Sequence, residues 1–586
     1  MPSKKPKAKL AAGTNTHGDL TEQYTAELKD LAAQAQIEDA SAGDLTPYLK
    51  ALAVLVLLGI YSNISQLNLS PVYGSIPASV YHVHVLVAGC FAGWAGNLAL
   101  RHALPRALST PRLLAVVAAY VPVLQAALFP LSERLGARAG PAVTEALTLG
   151  PVAVLSAAWV ADLLGDARLP RLPSFLADAA PGLGSWAVLK SAEALSGRVL
   201  GQHVGKVLVL TRVAMEAILG VVYAALAPSR IVALAVLPGL LHTALLNPHV
   251  MTPRAAAAVN ATLAADGWVL LDRKESVTGY VSVVESLERG FRVMRCDHSL
   301  LGGQWTVLQG KQVAEPIYGV FAMLEAVRLV ESREKVADKD ANALVIGLGI
   351  GTTPSALVAH GIDTTVVEID PVVHEFAAKY FDLKENNEPA IADAVSYTAG
   401  LVESKKTYNY IVHDVFTGGA EPVDLFTLEF LQGLSDLLDP NGVIAINYAG
   451  DFSLPAPKIV IRTITRVFPN CRIFRESPVR EDIQEGEADF TNMVIFCQKG
   501  LPADAGLRFR PAVVEDFLQS RARQMFLEPE HEVQKLDFLL EDDGEEGTEI
   551  LRRNETGRIE EWHKTTARGH WTIMRTVLPS KVWNLW

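Results

Sequence analysis

Three glycines and a glutamate are spaced as they would be in a nucleoside-binding turn. Gly347, Gly349 and Gly351 follow a hydrophobic segment and open a candidate helix. Glycine suits such a turn because the backbone must approach a ligand without a Cβ atom in the way. Glu368 ends the next hydrophobic segment, where a carboxylate can accept hydrogen bonds from both ribose hydroxyls.

Two aspartates extend this pattern. Asp393 lies where a carboxylate could contact the amino group of adenine, and Asp414 ends a further strand. Ligands of open α/β sheets bind at the carboxyl ends of the strands, so Asp414 should lie beside the cofactor. We predict that Asp414 orients the acceptor or accepts its proton. The alternative is a structural hydrogen bond in the turn before Gly418.

The glycine spacing favours one cofactor class. The turn has the pattern G-x-G-x-G, whereas dinucleotide-binding turns have G-x-G-x-x-G. The helix that follows begins without a Lys or Arg that could bind a phosphate. We therefore predict S-adenosyl-L-methionine (SAM) as the cofactor.

The elements that must position these residues alternate between strands and helices. Strands are predicted at 343–347, 363–369, 410–414 and 443–448, with helices at 318–330, 354–360, 372–381 and 425–438. This alternation predicts a parallel, doubly wound, Rossmann-like α/β sheet. We assign a small β domain to residues 265–315, the SAM-binding domain to 316–500 and a C-terminal extension to 501–586. The tryptophans of the extension are expected to pack against the domain.

The N-terminal half is strongly apolar. Residues 51–100 contain no Asp, Glu, Lys or Arg, and about 20 apolar residues suffice to cross a bilayer. An all-α transmembrane domain of about six helices is predicted within 47–250, near 48–68, 79–100, 113–131, 143–164, 207–226 and 231–246. The charged segment 183–200 is more typical of an interfacial helix. Arg212 and Glu216, four residues apart in one candidate span, are expected to neutralise each other.

Charge indicates orientation and partners. Residues 1–46 are lysine-rich at their start and are predicted to form a disordered cytosolic tail. The basic loop with Arg101, Arg106 and Arg112 also favours the cytosol. Six spans would place the C-terminal half there, on the side of cellular SAM, whereas seven would place it in a lumen. The net charge of −12 argues against nucleic acid as a partner. The apolar segments predict the lipid bilayer as a partner.

The four cysteines predict no metal site. Cys90, Cys296, Cys471 and Cys497 show no C-x-x-C spacing. They are expected to be ordinary buried thiols and not members of a zinc site or a disulfide.

The C-terminal half resembles the spermidine synthase family. Segment 279–305 is similar to that family's N-terminal β-hairpin, and segment 315–318 is similar to its entry into the first helix. The glycine turn and the three acidic residues then follow in the family's order, within residues 270–500. The resemblance implies that Glu368 binds ribose and Asp393 contacts adenine. It also implies that Gln304 and Tyr318 lie at the mouth of the cofactor or substrate site, and that the protein is a homodimer.

Two departures from this family bear on the reaction. Aminopropyltransferases carry an Asp in the glycine turn, where this chain has Ile350, and a second Asp where it has Thr417. A buried ammonium group without its carboxylate costs several kcal/mol. We therefore predict a membrane-tethered, SAM-dependent methyltransferase whose acceptor is unknown. The alternatives are a polyamine aminopropyltransferase and a non-catalytic membrane protein that senses a cofactor; the donor consumed would separate the first two.

Overall fold

The computed structural model describes residues 45–586 except 106–107, 166–173, 309–311, 333, 416–418, 420, 480–487, 502–505 and 541–546. The predicted disordered tail at 1–46 therefore lies almost wholly outside the described residues.

A bundle of apolar helices forms the first half of the described chain. Its helices are α1 (Thr46–Tyr73), α2 (Ser75–Val80), α3 (His82–Ala103), α4 (Thr110–Leu128), α5 (Ser132–Leu147), α6 (Leu149–Leu163), α7 (Ser174–His203), α8 (Arg212–Leu226) and α9 (Arg230–Leu246). Three stretches, Thr46–Tyr73, Ser75–Ala103 and Thr110–Leu163, are long and apolar enough to cross a membrane. Segment 183–200 is not a separate interfacial helix, since it lies within α7, which packs along α1.

Arg212 and Glu216 do not pair, contrary to the expectation from their spacing. The Arg212 Nη1 atom lies 3.0 Å from Asp297 Oδ1. The backbone N–H of Arg212 donates to Glu275 over 2.8 Å. Glu216 instead accepts hydrogen bonds from the amides of Asn68 and Gln125. Arg212 therefore joins the helix bundle to the C-terminal half.

A four-stranded antiparallel sheet follows the bundle. Its strands are β1 (Trp268–Glu275), β2 (Tyr280–Ser286), β3 (Phe291–Cys296) and β4 (Ser299–Trp305), hydrogen-bonded in chain order. Helix α10 (Pro253–Ala264) packs on β1. This sheet occupies the place of the small β domain in the sequence interpretation.

The largest sheet has eight strands in the order β12-β10-β11-β9-β8-β5-β6-β7. They are β5 (Asn342–Ile346), β6 (Asp363–Glu368), β7 (Ala390–Ile391), β8 (Tyr408–His413), β9 (Leu438–Asp451), β10 (Cys471–Arg475), β11 (Phe490–Gln498) and β12 (His531–Val533). Strands β5 to β9 pair in parallel, as predicted, whereas β10, β11 and β12 pair antiparallel. The Rossmann-like fold is confirmed, but the sheet is mixed because its C-terminal strands return by antiparallel connections.

Helices cover this sheet and extend from it. They are α11 (Gly319–Leu324), α12 (Thr352–Ala359), α13 (Pro371–Tyr380), α14 (Ala394–Glu403), α15 (Leu428–Leu437), α16 (Pro455–Val467), α17 (Arg521–Phe526), α18 (Leu536–Leu539), α19 (Gly557–Val577) and α20 (Ser580–Asn584). The predicted helix at 318–330 is shorter than expected, because α11 tightens into a 3₁₀ helix at Glu325–Leu329. As expected, Trp571, Trp583 and Trp586 are buried.

One cysteine pair forms a disulfide, so the expectation of four thiols was wrong. Cys471 on β10 and Cys497 on β11 are direct partners in the antiparallel register, and their sulfur atoms are bonded. Cys90 and Cys296 are free. The 26-residue separation gave no spacing signal, because strand register alone brings the pair together.

Candidate active site

A cavity of about 410 Å³ opens at the carboxyl ends of β5, β6 and β8. The glycine turn and Glu368 line one end, which we call the cofactor end. Phe490, Asn492 and His570 also line the cavity, in what we call the acceptor end, and Asp414 lines it beside Gly347.

The glycine turn fits its place only without side chains. Gly347 and Gly349 have φ angles of +87° and +56°, in the left-handed region. A Cβ atom on Gly347 would lie 2.0 Å from the carbonyl oxygen of Asp414, and one on Gly349 would lie 2.6 Å from that of Leu301. Gly351 lies just outside the cavity wall and is the N-cap residue of α12.

Glu368 is buried at the end of β6 and holds the glycine turn. Its Oε2 accepts the backbone N–H of Leu348 and its Oε1 that of Asp370, each over 2.9 Å. Burial raises the pKa of this carboxyl to about 7, although the backbone hydrogen bonds oppose the rise. Since each carboxylate oxygen can accept a second hydrogen bond, Glu368 can still bind ribose hydroxyls in the cavity.

Asp370 connects the cofactor end to the small antiparallel sheet. It caps α13 and accepts a hydrogen bond from the hydroxyl of Ser276 over 2.6 Å. It also accepts from the backbone and hydroxyl of Thr278, which lines the cavity. The loop between β1 and β2 is thereby fixed over the site.

Asp393 lines the cofactor end from the N-cap position of α14. Its Oδ2 accepts the backbone N–H and the hydroxyl of Ser396 over 2.9 and 2.7 Å. Partial burial opposes ionisation, but these hydrogen bonds hold the pKa of Asp393 below its usual value. Asp393 thus combines a structural cap with a charged oxygen in the lining of the cavity.

Asp414 is partnered by a residue that sequence reasoning missed. Asn447, on the neighbouring strand β9, donates its amide to Asp414 Oδ1 over 2.8 Å. Burial raises the pKa of Asp414 to about 6, and the Asn447 hydrogen bond limits that rise. Asn447 is 5% exposed, and its Oδ1 has no partner among the described residues.

Tyr318 and Gln304, which the resemblance places at the mouth of the site, lie in different pockets. Tyr318 lines the cavity, and its buried hydroxyl has no partner within the described part of the chain. Gln304 does not line it; this residue borders a smaller pocket beside Ile350 and Gly351. Spacing along the chain could not reveal this, because the place of Gln304 depends on the pairing of β4 with β3, where it lies opposite Arg292.

The acceptor end is built partly by the C-terminal extension. Helix α19 contributes His570 and Met574, and β11 contributes Phe490 and Asn492. Burial lowers the pKa of His570 to about 4, so its ring is neutral near pH 7. Among the described lining residues there is no Lys or Arg, whereas Glu368, Asp393, Asp414 and Asp424 are acidic. The cavity therefore favours cationic ligands.

Known proteins resemble this chain over its whole length or over the sheet alone. A Spermine/spermidine synthase domain matches residues 328–473. An N-terminal histidine N-methyltransferase of Emericella nidulans is 45% identical over 91% of this chain and 96% of its own length. The chain belongs to the family of this methyltransferase. It is a SAM-dependent methyltransferase with a spermidine synthase-like domain.

More distant relatives cover a smaller share of this chain. A polyamine aminopropyltransferase of Vibrio vulnificus is 35% identical over 24% of this chain and 48% of its own length. The spermidine synthase of Thermotoga maritima is 20% identical with a TM-score of 0.30, covering 40% of this chain and 74% of that structure. Human methyltransferase-like protein 13 in complex with S-adenosylhomocysteine (SAH) is 26% identical with a TM-score of 0.26, covering 36% of this chain and 92% of that structure.

The cofactor end of the methyltransferase fits SAM. Bound there, SAM supplies an electrophilic methyl group on a cationic sulfonium. Glu368 would hold the ribose and Asp393 the adenine, and the glycine turn leaves room for the methionine chain of SAM. The acidic lining suits a cationic donor.

Ile350, which stands where aminopropyltransferases carry an Asp, lies in the hydrophobic core. Ile350 is 4% exposed, belongs to the hydrophobic core and does not line the cavity. The structure therefore leaves no carboxylate at this point of the turn, while Thr417 lies outside the described residues. Membership in the methyltransferase family supersedes both the aminopropyltransferase and the non-catalytic alternatives.

Proposed function

We propose that this protein transfers the methyl group of SAM to a nitrogen of an N-terminal histidine in a protein substrate. The Emericella nidulans relative carries this activity in its name and aligns over nearly the whole chain. The single structural observation that supports the proposal is the acceptor end, which is acidic, lacks Lys and Arg among its described lining residues and contains an unpartnered amide oxygen. An N-terminal residue brings an ammonium group that such a cavity would attract.

The residues of the acceptor end have separable roles. Asp414 and Asp424 attract the positive charge, and Phe490 and Met574 provide apolar surface for a flat ring. Exclusion of water by this surface strengthens the electrostatic interactions inside. Because methyl transfer is an in-line displacement, positioning of the attacking nitrogen accounts for most of what the protein must supply.

The test uses the full-length protein in detergent with labelled SAM. The substrate is a peptide that begins with histidine, and the matched control has the same sequence preceded by one alanine. We expect methylation of the first peptide only, located by mass spectrometry on the histidine. Equal methylation of both peptides, or of neither, would contradict the proposal. Decarboxylated SAM with putrescine should give no product.

We further propose that the helix bundle spans a membrane. Large apolar side chains project outward from it, such as Phe91 on α3 and Leu234 on α9, which are 74% and 73% exposed. Polar side chains such as His82 and Glu145 are instead buried between helices, where they hydrogen-bond to each other. Apolar surface outside and paired polar groups inside are what lipid surroundings require.

We place the catalytic half on the oxidising side of that membrane. This proposal rests on the Cys471–Cys497 disulfide, because disulfides persist in secretory compartments and are rare in the cytosol. It replaces the cytosolic placement derived from loop charges. The basic N-terminus would remain cytosolic, so an odd number of spans would connect the two.

A further inference from the structure

The unpartnered oxygen of Asn447 indicates how the acceptor is held. Alternation along β9 directs Ala445, Asn447 and Ala449 away from the core that contains Ile446 and Tyr448, and Asn447 and Ala449 line the cavity. A buried amide oxygen without a hydrogen bond is unfavourable, because it has lost its hydrogen bonds to water. Such a group at the acceptor end is explained if a ligand donates to it.

The orientation of this amide is fixed. An ionised carboxylate can only accept, so the Asn447 amide must direct its Nδ2 toward Asp414. Its Oδ1 must then point the other way and can only accept. The Asp414–Asn447 pair therefore presents one neutral acceptor atom, and a flip of the amide would place an oxygen against the carboxylate.

We propose that Asn447 Oδ1 accepts the ring N–H of the acceptor histidine, so that the other ring nitrogen directs its lone pair at the methyl donor. This inference rests on the proposed function. Asn447 touches the acceptor, and Asp414 acts through it as a positioning residue. The new bond joins the ring nitrogen to the methyl carbon, while the carbon–sulfur bond breaks and its electron pair stays on sulfur. The positive charge passes to the ring, whose remaining N–H proton later leaves to water.

The chemistry of the cavity favours the ring over the α-amine. An imidazole has a pKa near 6.5 and an α-amine one near 7.7–8.0, and acidic surroundings favour the charged form of both. The amine therefore stays protonated and lacks a lone pair, whereas the ring loses its proton first. A neutral amide oxygen beside the ring keeps more of the bound ring in its unprotonated, nucleophilic form, because it stabilises the protonated ring less than a carboxylate would.

The central test exchanges the two members of the pair. Asp414→Asn with Asn447→Asp keeps the hydrogen bond but places the carboxylate against the ring N–H. The cationic form of the bound ring is then favoured, so the pH profile of kcat, which reports the enzyme–substrate complex, should move to higher pH. The other titratable groups that line the cavity are Asp424, His570, Tyr318, Cys296, Glu368 and Asp393, and Glu476 accepts a hydrogen bond from Asn492. They are unchanged in both proteins and cannot produce the difference.

A second variant removes the acceptor atom. Asn447→Leu should lower kcat/KM by about tenfold or more, the worth of one hydrogen bond. The two ring nitrogens should also be methylated in a mixture, where the wild type gives one isomer. The readout without turnover is the ¹⁵N spectrum of a ring-labelled peptide bound with SAH. The wild type should hold one tautomer and the variant both.

Asp439→Asn with Asn409→Asp is the matched control, because Asn409 also donates its amide to an aspartate, Asp439, over 2.7 Å at the opposite end of the sheet. It should leave the pH profile and the isomer ratio unchanged. A single isomer and an unshifted profile in both Asn447 variants, with SAH binding intact, would overturn the inference. Failure of the wild type to methylate the histidine peptide would instead overturn the proposed function.

Discussion

The cofactor should bind more weakly to the free protein as Glu368 becomes protonated. Burial raises the pKa of Glu368 to about 7, whereas ribose hydroxyls donate to its ionised form. Binding therefore requires the proton to leave, and the affinity falls as the pH drops through that pKa. With a pKa of about 7, the apparent Kd should be about tenfold higher at pH 6 than at pH 8.

Calorimetry with SAH in buffers of different ionisation enthalpy measures both the affinity and the released proton. Glu368→Gln should abolish the pH dependence and weaken binding. Because hydrogen bonds to a charged group are worth about 1.5–3 kcal/mol each, loss of two corresponds to roughly a hundredfold or more in Kd. A wild-type affinity that stays constant from pH 6 to pH 8 would refute the assignment of Glu368 to the ribose.

Three further outcomes are expected. Ile350→Asp should not create aminopropyl transfer from decarboxylated SAM, because this side chain lies in the core and not in the cavity. The variant should have a lower unfolding temperature, because it buries a charge. Formation of an aminopropyl product would contradict this position of the side chain. Cys497→Ser should destabilise the protein by about 3 kcal/mol, the chain-entropy worth of such a loop, and a reducing agent should destabilise the wild type equally but leave the variant unchanged in thermal unfolding. Asn554 is exposed and begins an Asn-Glu-Thr acceptor sequence for N-glycosylation. If the catalytic half is lumenal, the wild type should carry a glycan at this position that the Asn554→Gln variant lacks. A wild type without this glycan would favour the cytosolic side.

The cofactor end could be predicted because its residues are local in sequence. The glycine turn and Glu368 each follow a buried parallel strand, and strand ends of one sheet converge on the same edge. Asp393 and Asp414 obey the same rule, and all of them line or adjoin one cavity. Order and spacing along the chain were sufficient here.

The acceptor end could not be predicted, because strand register and a distant helix assemble it. Asn447 is an uncharged residue inside a predicted strand, and only the pairing of β8 with β9 brings it to Asp414. His570 comes from α19, more than 150 residues after Asp414 in the chain. Arg212 was assigned to the wrong partner for the same reason, since i,i+4 spacing does not reveal Asp297 across the domain boundary.

Helix α19 connects the helix bundle to the active site. On one side it carries His570 into the acceptor end. On the other, the Trp571 indole N–H and the Arg575 guanidinium donate to the carbonyl oxygen of Val72 in α1, over 3.0 and 3.1 Å. Removing the bundle would break both hydrogen bonds to Val72 and would take away the support of the helix that shapes the acceptor end. The bundle therefore supports the helix that forms part of the acceptor end, where the substrate must be positioned.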